Sequence, residues 1–164
     1  SLRDLLLDRN PVFWLAQPSY LTVSLVAGAL TWIYICRWRA PVRFLSFVDA
    51  FGLALFTISG IQIAQGTGQS VPICLVMGVI TGVAGGLFRD LLCGEIPSIF
   101  KSGELYASAA LLGGAAFFLV ERWGVDPRLS TLLGAGTVVG LRLAALQLGW
   151  RLPVMKIKRS GKPR

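Results

Sequence analysis

Apolar residues in this chain come in long unbroken runs rather than at the spacing of an amphipathic helix. Residues 17–36, 45–65, 71–92 and 129–148 form four such runs, each near the roughly 20 residues an α-helix needs to cross the hydrocarbon core of a bilayer. A fifth run, Leu105 to Val120, is shorter, and a helix beginning near Ser98 supplies the missing turn. The pattern predicts five spans, preceded at the amino terminus by the end of an earlier one. A soluble helix bundle would carry polar faces at helical spacing, and Leu105 to Val120 carries almost none. No linker, low-complexity tract or second domain interrupts the runs, so the chain reads as one transmembrane domain over 1–164.

The chain also repeats itself at an offset of 86 positions. Arg3, Asp4, Leu5, Leu6, Pro11 and Tyr20 fall on Arg89, Asp90, Leu91, Leu92, Pro97 and Tyr106, and shared hydrophobicity does not account for the charged pair. Each unit holds three spans, and an odd number turns the second copy upside down relative to the first. Inverted repeats are a recurrent plan of transport proteins, with the site at the repeat interface near the midplane. The expected architecture is all-α and integral to the membrane: two inverted three-helix repeats plus a final helix. Residues 1–44 are the remainder of repeat one, 45–125 repeat two, 126–148 the final helix and 149–164 a basic tail. By the offset, repeat one begins about 40 residues before Ser1, so the chain is expected to be a piece of a seven-span protein whose first helix and half of whose second precede it.

Composition agrees with the membrane assignment. The chain is 54% hydrophobic and only 15% charged, with 19 glycines among 164 residues and a mean hydropathy of +0.67, a poor match to a soluble domain. The net charge of +8 is mostly asymmetry between the two sides. Arg37, Arg39, Arg43, Lys101, Arg151, Lys156, Lys158, Arg159, Lys162 and Arg164 fall on one side, and only Arg3, Arg9, Arg122 and Arg128 on the other. The positive-inside rule puts the first group, with the carboxyl tail, in the cytoplasm. Next to a span, the basic tail reads as an orientation signal resting on anionic lipid rather than as a nucleic-acid contact. Cys36, Cys74 and Cys93 lack metal-ligand spacing and there is no histidine, so neither a disulfide, a metal site nor a Ser-His-Asp site is expected. No phosphate loop or cofactor motif is present, which argues against an enzyme.

Two features inside the spans point to function. Gly78, Gly82 and Gly86 recur every four residues and form a smooth stripe for helix packing, and Gly134, Gly136 and Gly140 in the last run also read as packing. Gly85 and Gly86 together also read as a mid-membrane kink that frees backbone carbonyls beside Arg89 and Asp90. Charge inside a membrane costs roughly 2.5 to 3.5 kcal/mol per residue at the centre, so pairing or water is expected. Asp49 and Arg89 lie near the cytoplasmic ends of neighbouring runs and should pair, leaving Asp90 to cap backbone or face water. These charges serve either a transport pathway or a plain staple between helices. Arg142, near the end of its run, is expected to snorkel.

Gly85, Gly86, Leu87, Phe88, Arg89 and Asp90, followed by Leu91, Leu92, Gly94, Glu95, Pro97, Phe100, Glu104, Leu105 and Tyr106, resemble the bacterial members of the trimeric intracellular cation channel (TRIC) family. Asp49, Ala50, Gly52, Leu53, Ala54, Phe56 and Gly60 resemble the start of that family's repeat, and Arg142, Ala145, Trp150, Leu152 and Pro153 its closing helix. Proteins of this kind are also described as carrying a glycine-transporter domain. The resemblance implies seven helices, homotrimers, and a pathway for monovalent cations, chiefly potassium, through each protomer, in a bacterial inner membrane and with no cofactor. It implies that the glycine kinks flank the pathway, here at Gly85 and Gly86 with Arg89 and Asp90 beside them, and with Arg3 and Asp4 remaining from the first copy. Carbonyls freed at Gly85 and the hydroxyls of Thr57, Ser59 and Thr81 then offer oxygen ligands to a cation, although membrane hydroxyls also bond back to their own helix. A movable contact between Arg89 and Asp49 or Asp90 is a candidate gate. A carrier for a small zwitterion such as glycine uses the same plan, and a non-transporting scaffold would keep the packing glycines without needing aligned charges.

Overall fold

The computed structural model describes residues 2–7, 19–37, 42–100 and 105–148. The expectations for Arg9, Pro11, Arg39, Lys101, Glu104 and the basic tail from 149 lie outside the described residues. Among the described residues six α-helices follow one another: α1 Leu2–Leu6, α2 Ser19–Arg37, α3 Val42–Gly66, α4 Val71–Leu92, α5 Ala107–Arg122 and α6 Pro127–Leu148, with a 3-10 turn at Ser98–Phe100 between α4 and α5. Three of them, α3, α4 and α6, are long and apolar enough to cross a membrane. Their 22 to 25 residues rise about 33 to 38 Å at 1.5 Å per residue. The apolar part of α2 is shorter, Ser19–Tyr34, and α5 has 16 residues. The molecule is an all-helical membrane protein.

The helix expected from Ser98 starts instead at Ala107. At the end of α4 the Glu95 N–H reaches the Asp90 carbonyl and the Gly94 N–H that of Leu91. Gly94 sits at φ +68°, so the chain closes in a Schellman motif, which only a residue at ease in the left-handed region completes without strain. Pro97 is buried, and its carbonyl accepts from the Phe100 N–H, holding the next residues in a separate turn that packs on α4. The helical run resumes only at the alanines after Tyr106.

Helices α3 to α6 form a ring of contacts, α3 on α4, α4 on α5, α5 on α6 and α6 back on α3, and α3 also meets α5 across the diagonal. The interior is narrow: Ala50, Leu53, Ala54, Ile58, Ile61, Ala64, Ala109 and Ala110 are buried. Large apolar residues point outward, Leu55, Val76 and Leu132 among them, as suits a bundle whose solvent is lipid. Small residues let backbones approach where lipid gives no hydrophobic drive. A Cβ on Gly78 would stand 2.8 Å from the Thr57 carbonyl oxygen, and one on Gly82 would be 3.0 Å from that of Leu53, so the stripe on α4 is the seat of α3. Gly113 and Gly134 do the same for α5 and α6, a Cβ on either meeting the other's carbonyl oxygen at 2.9 and 3.2 Å. Gly136 and Gly140 have nothing within 4 Å of such a Cβ; they face away from α5 and seat no other described helix of this chain.

α1 lies on α4. Leu7, just beyond α1, packs against a cluster of Ile58, Ile61, Ala64, Cys74 and Phe117, at the end of α4 opposite to Arg89. The described side chains of α2 are exposed along its whole length.

Candidate functional site

Three helices bring charge, and the start of a fourth brings a tyrosine, to one end of the bundle. Asp49 stands seven residues into α3, about two turns. Arg89 and Asp90 occupy the last turn of α4, Tyr106 immediately precedes α5, and Arg142 lies in the last two turns of α6. Because α3 begins where α4 ends and α5 begins where α6 ends, these residues share a level. Arg89 Nη1 donates to Asp49 Oδ1 at 2.6 Å, while Nε and Nη2 both donate to Asp90 Oδ1 at 2.9 and 2.8 Å. The carboxylates are nearly covered, with side-chain exposures of 12% for Asp49 and 7% for Asp90, against 29% for Arg89. One guanidinium thus ties α3 to α4 by bridging two acids.

Several expectations need correction here. Asp90 does not face water: it is 5% exposed and engages the flexible side chain of its own neighbour. Arg142 does not snorkel. It is 5% exposed, and its guanidinium lies 4.8 Å from the centroid of the Tyr106 ring, an arrangement worth about 2 kcal/mol when desolvated. Nor is α4 broken at its paired glycines, since it runs as one α-helix from Val71 to Leu92. The backbone groups expected to be released as ligands at Gly85 belong to that continuous helix, and Gly85 itself is exposed with open space around it.

Gly86 has a different use. A Cβ there would collide with the Tyr106 hydroxyl and come within 3.5 Å of Asp49 Oδ1. The missing side chain is a notch that receives the tip of Tyr106, which is buried at 1% exposure. The Tyr106 hydroxyl is 3.5 Å from Asp49 Oδ1, long for an O–H···O bond, whose usual range is about 2.5 to 3.0 Å. Shape and the Arg142 cation therefore hold this ring more than its hydrogen bond does. Neither Tyr106 nor Arg142 was expected to belong here. The available signal was the repeat, in which Tyr20 falls on Tyr106, the only aromatic identity in the alignment.

The remaining expected positions are scattered. Thr57 is fully buried, with its hydroxyl against Gly82 and no hydrogen-bond partner among the described residues; it belongs to the dry seam of α3 and α4. Thr81 donates to the Met77 carbonyl of its own helix at 2.6 Å, and Ser59 is half-buried. Asp4 is 2% exposed, and Arg3 shares its helix, α1. At the far end of α3, Gln65 Nε2 donates to both carboxylate oxygens of Glu121 at 2.9 and 3.0 Å, and Gln62 Nε2 to Thr131 Oγ1 at 2.8 Å. The sequence reading had not singled out these ties. Next to the charged end, a groove of about 490 Å³ lined by Ser46, Phe47, Leu143, Leu146 and Gln147 leaves the seam of α3 and α6 unfilled.

Comparison with known proteins places this arrangement. A family model described as "Glycine transporter" matches residues 1–35 and 46–122. The UPF0126 inner membrane protein YadS of Escherichia coli (strain K12) is 35% identical over 164 residues, 99% of this chain and 79% of that protein. A UPF0126 membrane protein of Vibrio cholerae is 34% identical over 163 residues, 96% of this chain and 66% of its own length. Among solved structures, the TRIC trimeric intracellular cation channel orthologue from Rhodobacter sphaeroides is similar with a TM-score of 0.84 and 39% identity, over 90% of this chain and 76% of that one. A second TRIC cation channel gives a TM-score of 0.84 at 28% identity, over 97% of this chain and 78% of that one. With three long apolar spans among its helices and inner-membrane relatives, this is a multi-pass inner-membrane protein. The chain belongs to the glycine transporter (UPF0126) family and shares the fold of the prokaryotic TRIC cation channels.

Proposed function

We propose that the protein is a monovalent-cation channel, chiefly for potassium, acting as a homotrimer with one pathway in each protomer at the interface of two inverted repeats. The observation that carries this reading is the match over 90% of the chain to a solved TRIC channel. The charged end fits it: Asp49, Asp90 and Arg89 form a buried cluster in an otherwise apolar bundle, where charge is retained at a cost and usually marks a pathway. Asp49 and Asp90 offset the Arg89 cation that would otherwise repel potassium, and the Arg89–Asp49 contact acts as the gate. Arg3 and Asp4 are assigned the corresponding role at the other mouth, a reading supported by the repeat and by Leu7, just beyond α1, which packs at the end of α4 opposite to Arg89. Gly86 shapes the pathway wall beside the gate, while Gly85 and the hydroxyls of Thr57, Ser59 and Thr81, set apart from one another in the fold, take no part in it.

The test is planar-bilayer recording of the full-length protein under a potassium gradient, with glycine uptake into matched liposomes alongside. Unitary currents reversing near the potassium equilibrium potential are expected, and Asp49→Asn, which leaves Arg89 with one full carboxylate partner, is expected to raise leak. Normal currents with unchanged voltage dependence in Asp49→Asn would remove the gate. The family description favours a second reading, a carrier for glycine. Saturable glycine accumulation across electrically silent membranes would establish that reading instead.

A further inference from the structure

We infer that Tyr106 is a plug seated beside the gate and that Arg142 on α6 is the clamp holding it there, an inference that rests on the channel reading above. Three observations converge. The Tyr106 side chain is buried in the notch that Gly86 leaves on α4. Its hydroxyl stands over the same Asp49 oxygen that accepts from Arg89, so ring and ion pair occupy one space. Its ring face is covered by the Arg142 guanidinium. A plug must be removable: the long contact to Asp49 makes the hydroxyl easy to release, and the ring is then held by the Arg142 cation and by its packing against Leu53, Val83 and Val138.

The seams around the cluster differ in a way that suits this role. α3 and α4 are locked by Gly78 and Gly82 at backbone distance, so neither helix slides without a clash. The seam between α3 and α6 keeps the groove beside Ser46, Phe47 and Leu143. Gly134 fixes the other half of α6 on α5, so the room to shift is confined to the end of α6 beside this groove, and Arg142 moves with it. Withdrawal of Arg142 frees the ring, the ring leaves the notch, and the Asp49 carboxylate and the surface of α4 become open to water and cation. Arg142 acts through Tyr106 and is a positioning residue.

Potassium flux from liposomes containing the full-length protein tests this. Tyr106→Ala is expected to raise flux about tenfold by shifting the closed–open balance. Tyr106→Leu, which fills part of the volume without a planar face for Arg142, gives a smaller rise, and Tyr106→Phe the smallest. Arg142→Leu raises flux with the tyrosine intact, and Arg142→Lys, which keeps a cation over the ring, returns it toward the unsubstituted level. A merely structural role predicts loss of flux with loss of folded protein, not gain. If Tyr106→Ala does not elute as a single species, Tyr106→Leu and Arg142→Leu decide the matter. Flux in the unsubstituted protein that these variants leave level or lower overturns the plug alone. Silence of the unsubstituted protein and every variant overturns the channel reading and the plug with it, and silence broken only by Tyr106→Ala supports a plug that is shut at rest.

Discussion

Tyr106 and Tyr20 occupy the same column of the repeat and live in opposite surroundings. Tyr106 is 1% exposed and Tyr20 51%, although each follows an Arg-Asp pair by the same number of residues. The two aspartates do not differ in this way, since Asp4 and Asp90 are 2% and 5% exposed. The difference arises in the neighbours. α3 brings Asp49 to Tyr106, α4 offers the notch at Gly86, and α6 lays Arg142 over the ring. Among the described residues no helix closes over α2 in this manner. Tyr106 becomes part of a site because three other helices supply it with partner charges and with space.

The largest effect is expected at the guanidinium that joins α3 to α4. Arg89→Leu takes the cation from two covered carboxylates, and breaking a buried pair by removing one partner costs about 3 to 5 kcal/mol. Thermal unfolding in detergent should show a large drop in Tm. Arg89→Lys should recover part of it, because an ammonium meets one carboxylate as a point charge but cannot fork across two. A full recovery by lysine, or no drop with leucine, would mean that the bidentate bridge contributes little to the difference between the two copies.

Next comes the notch. Gly86→Ala places a methyl group where the Tyr106 hydroxyl sits, and overpacking of this kind costs about 1 to 3 kcal/mol. The clash is with the tip of a side chain that can swing out, so the value should fall at the low end and the freed tyrosine should raise flux. Gly82→Ala is the control within the same stripe, because its methyl would meet the Leu53 carbonyl oxygen at 3.0 Å as well as the Thr57 hydroxyl. Backbone cannot swing away, so Gly82→Ala should be the more destabilising of the two while producing no gain in flux. The reverse order would show that Tyr106 is fixed as firmly as backbone.

How far the sequence foretold these features depends on whether one helix or several decide them. The apolar runs locate α3, α4 and α6 because length and hydropathy are local properties. The Arg89–Asp49 pair was legible because both residues lie close to the same membrane side on adjacent runs, and a charge in lipid needs a partner wherever it finds one. Gly78 and Gly82 were legible as a stripe since a spacing of four keeps one face. The paired glycines do not announce their use in sequence, because a kink and a notch both require a missing side chain. What separates them is the Tyr106 hydroxyl, which arrives from 20 residues further along the chain. Arg142 was assigned to the interface from its position near a helix end, and only the placement of Tyr106 against α6 shows why it stays inside. The choice of Gly134 over Gly136 and Gly140 depends on where α5 crosses, and no single run contains that information.

Gly85→Ala separates the two readings of the glycine pair at smaller amplitude. A helix that is continuous with open space at this position gains from alanine, by up to about 1 kcal/mol from propensity, and Tm should rise slightly with flux unchanged. A helix that must break at Gly85 to conduct would lose flux when alanine stiffens it. That loss would return the pathway wall to the kink and detach it from the notch.

The smallest effect should appear at Tyr20, where the comparison is most exposed to refutation. Tyr20→Phe removes a hydroxyl from a ring that is half in the open, and surface substitutions of this kind usually fall within about 0.5 kcal/mol. Tyr106→Phe removes a buried hydroxyl that fills the Gly86 notch, so it should cost about 1 kcal/mol from the void left in the notch rather than from the long contact to Asp49. Measured side by side by thermal unfolding in one detergent, the two substitutions should differ in Tm with Tyr106→Phe the lower. Equal losses would mean that the partners of Tyr20 hold its hydroxyl as closely as Gly86 and Asp49 hold that of Tyr106. The contrast between the copies would then become a symmetry, and the plug inferred for one side of the membrane would apply to both.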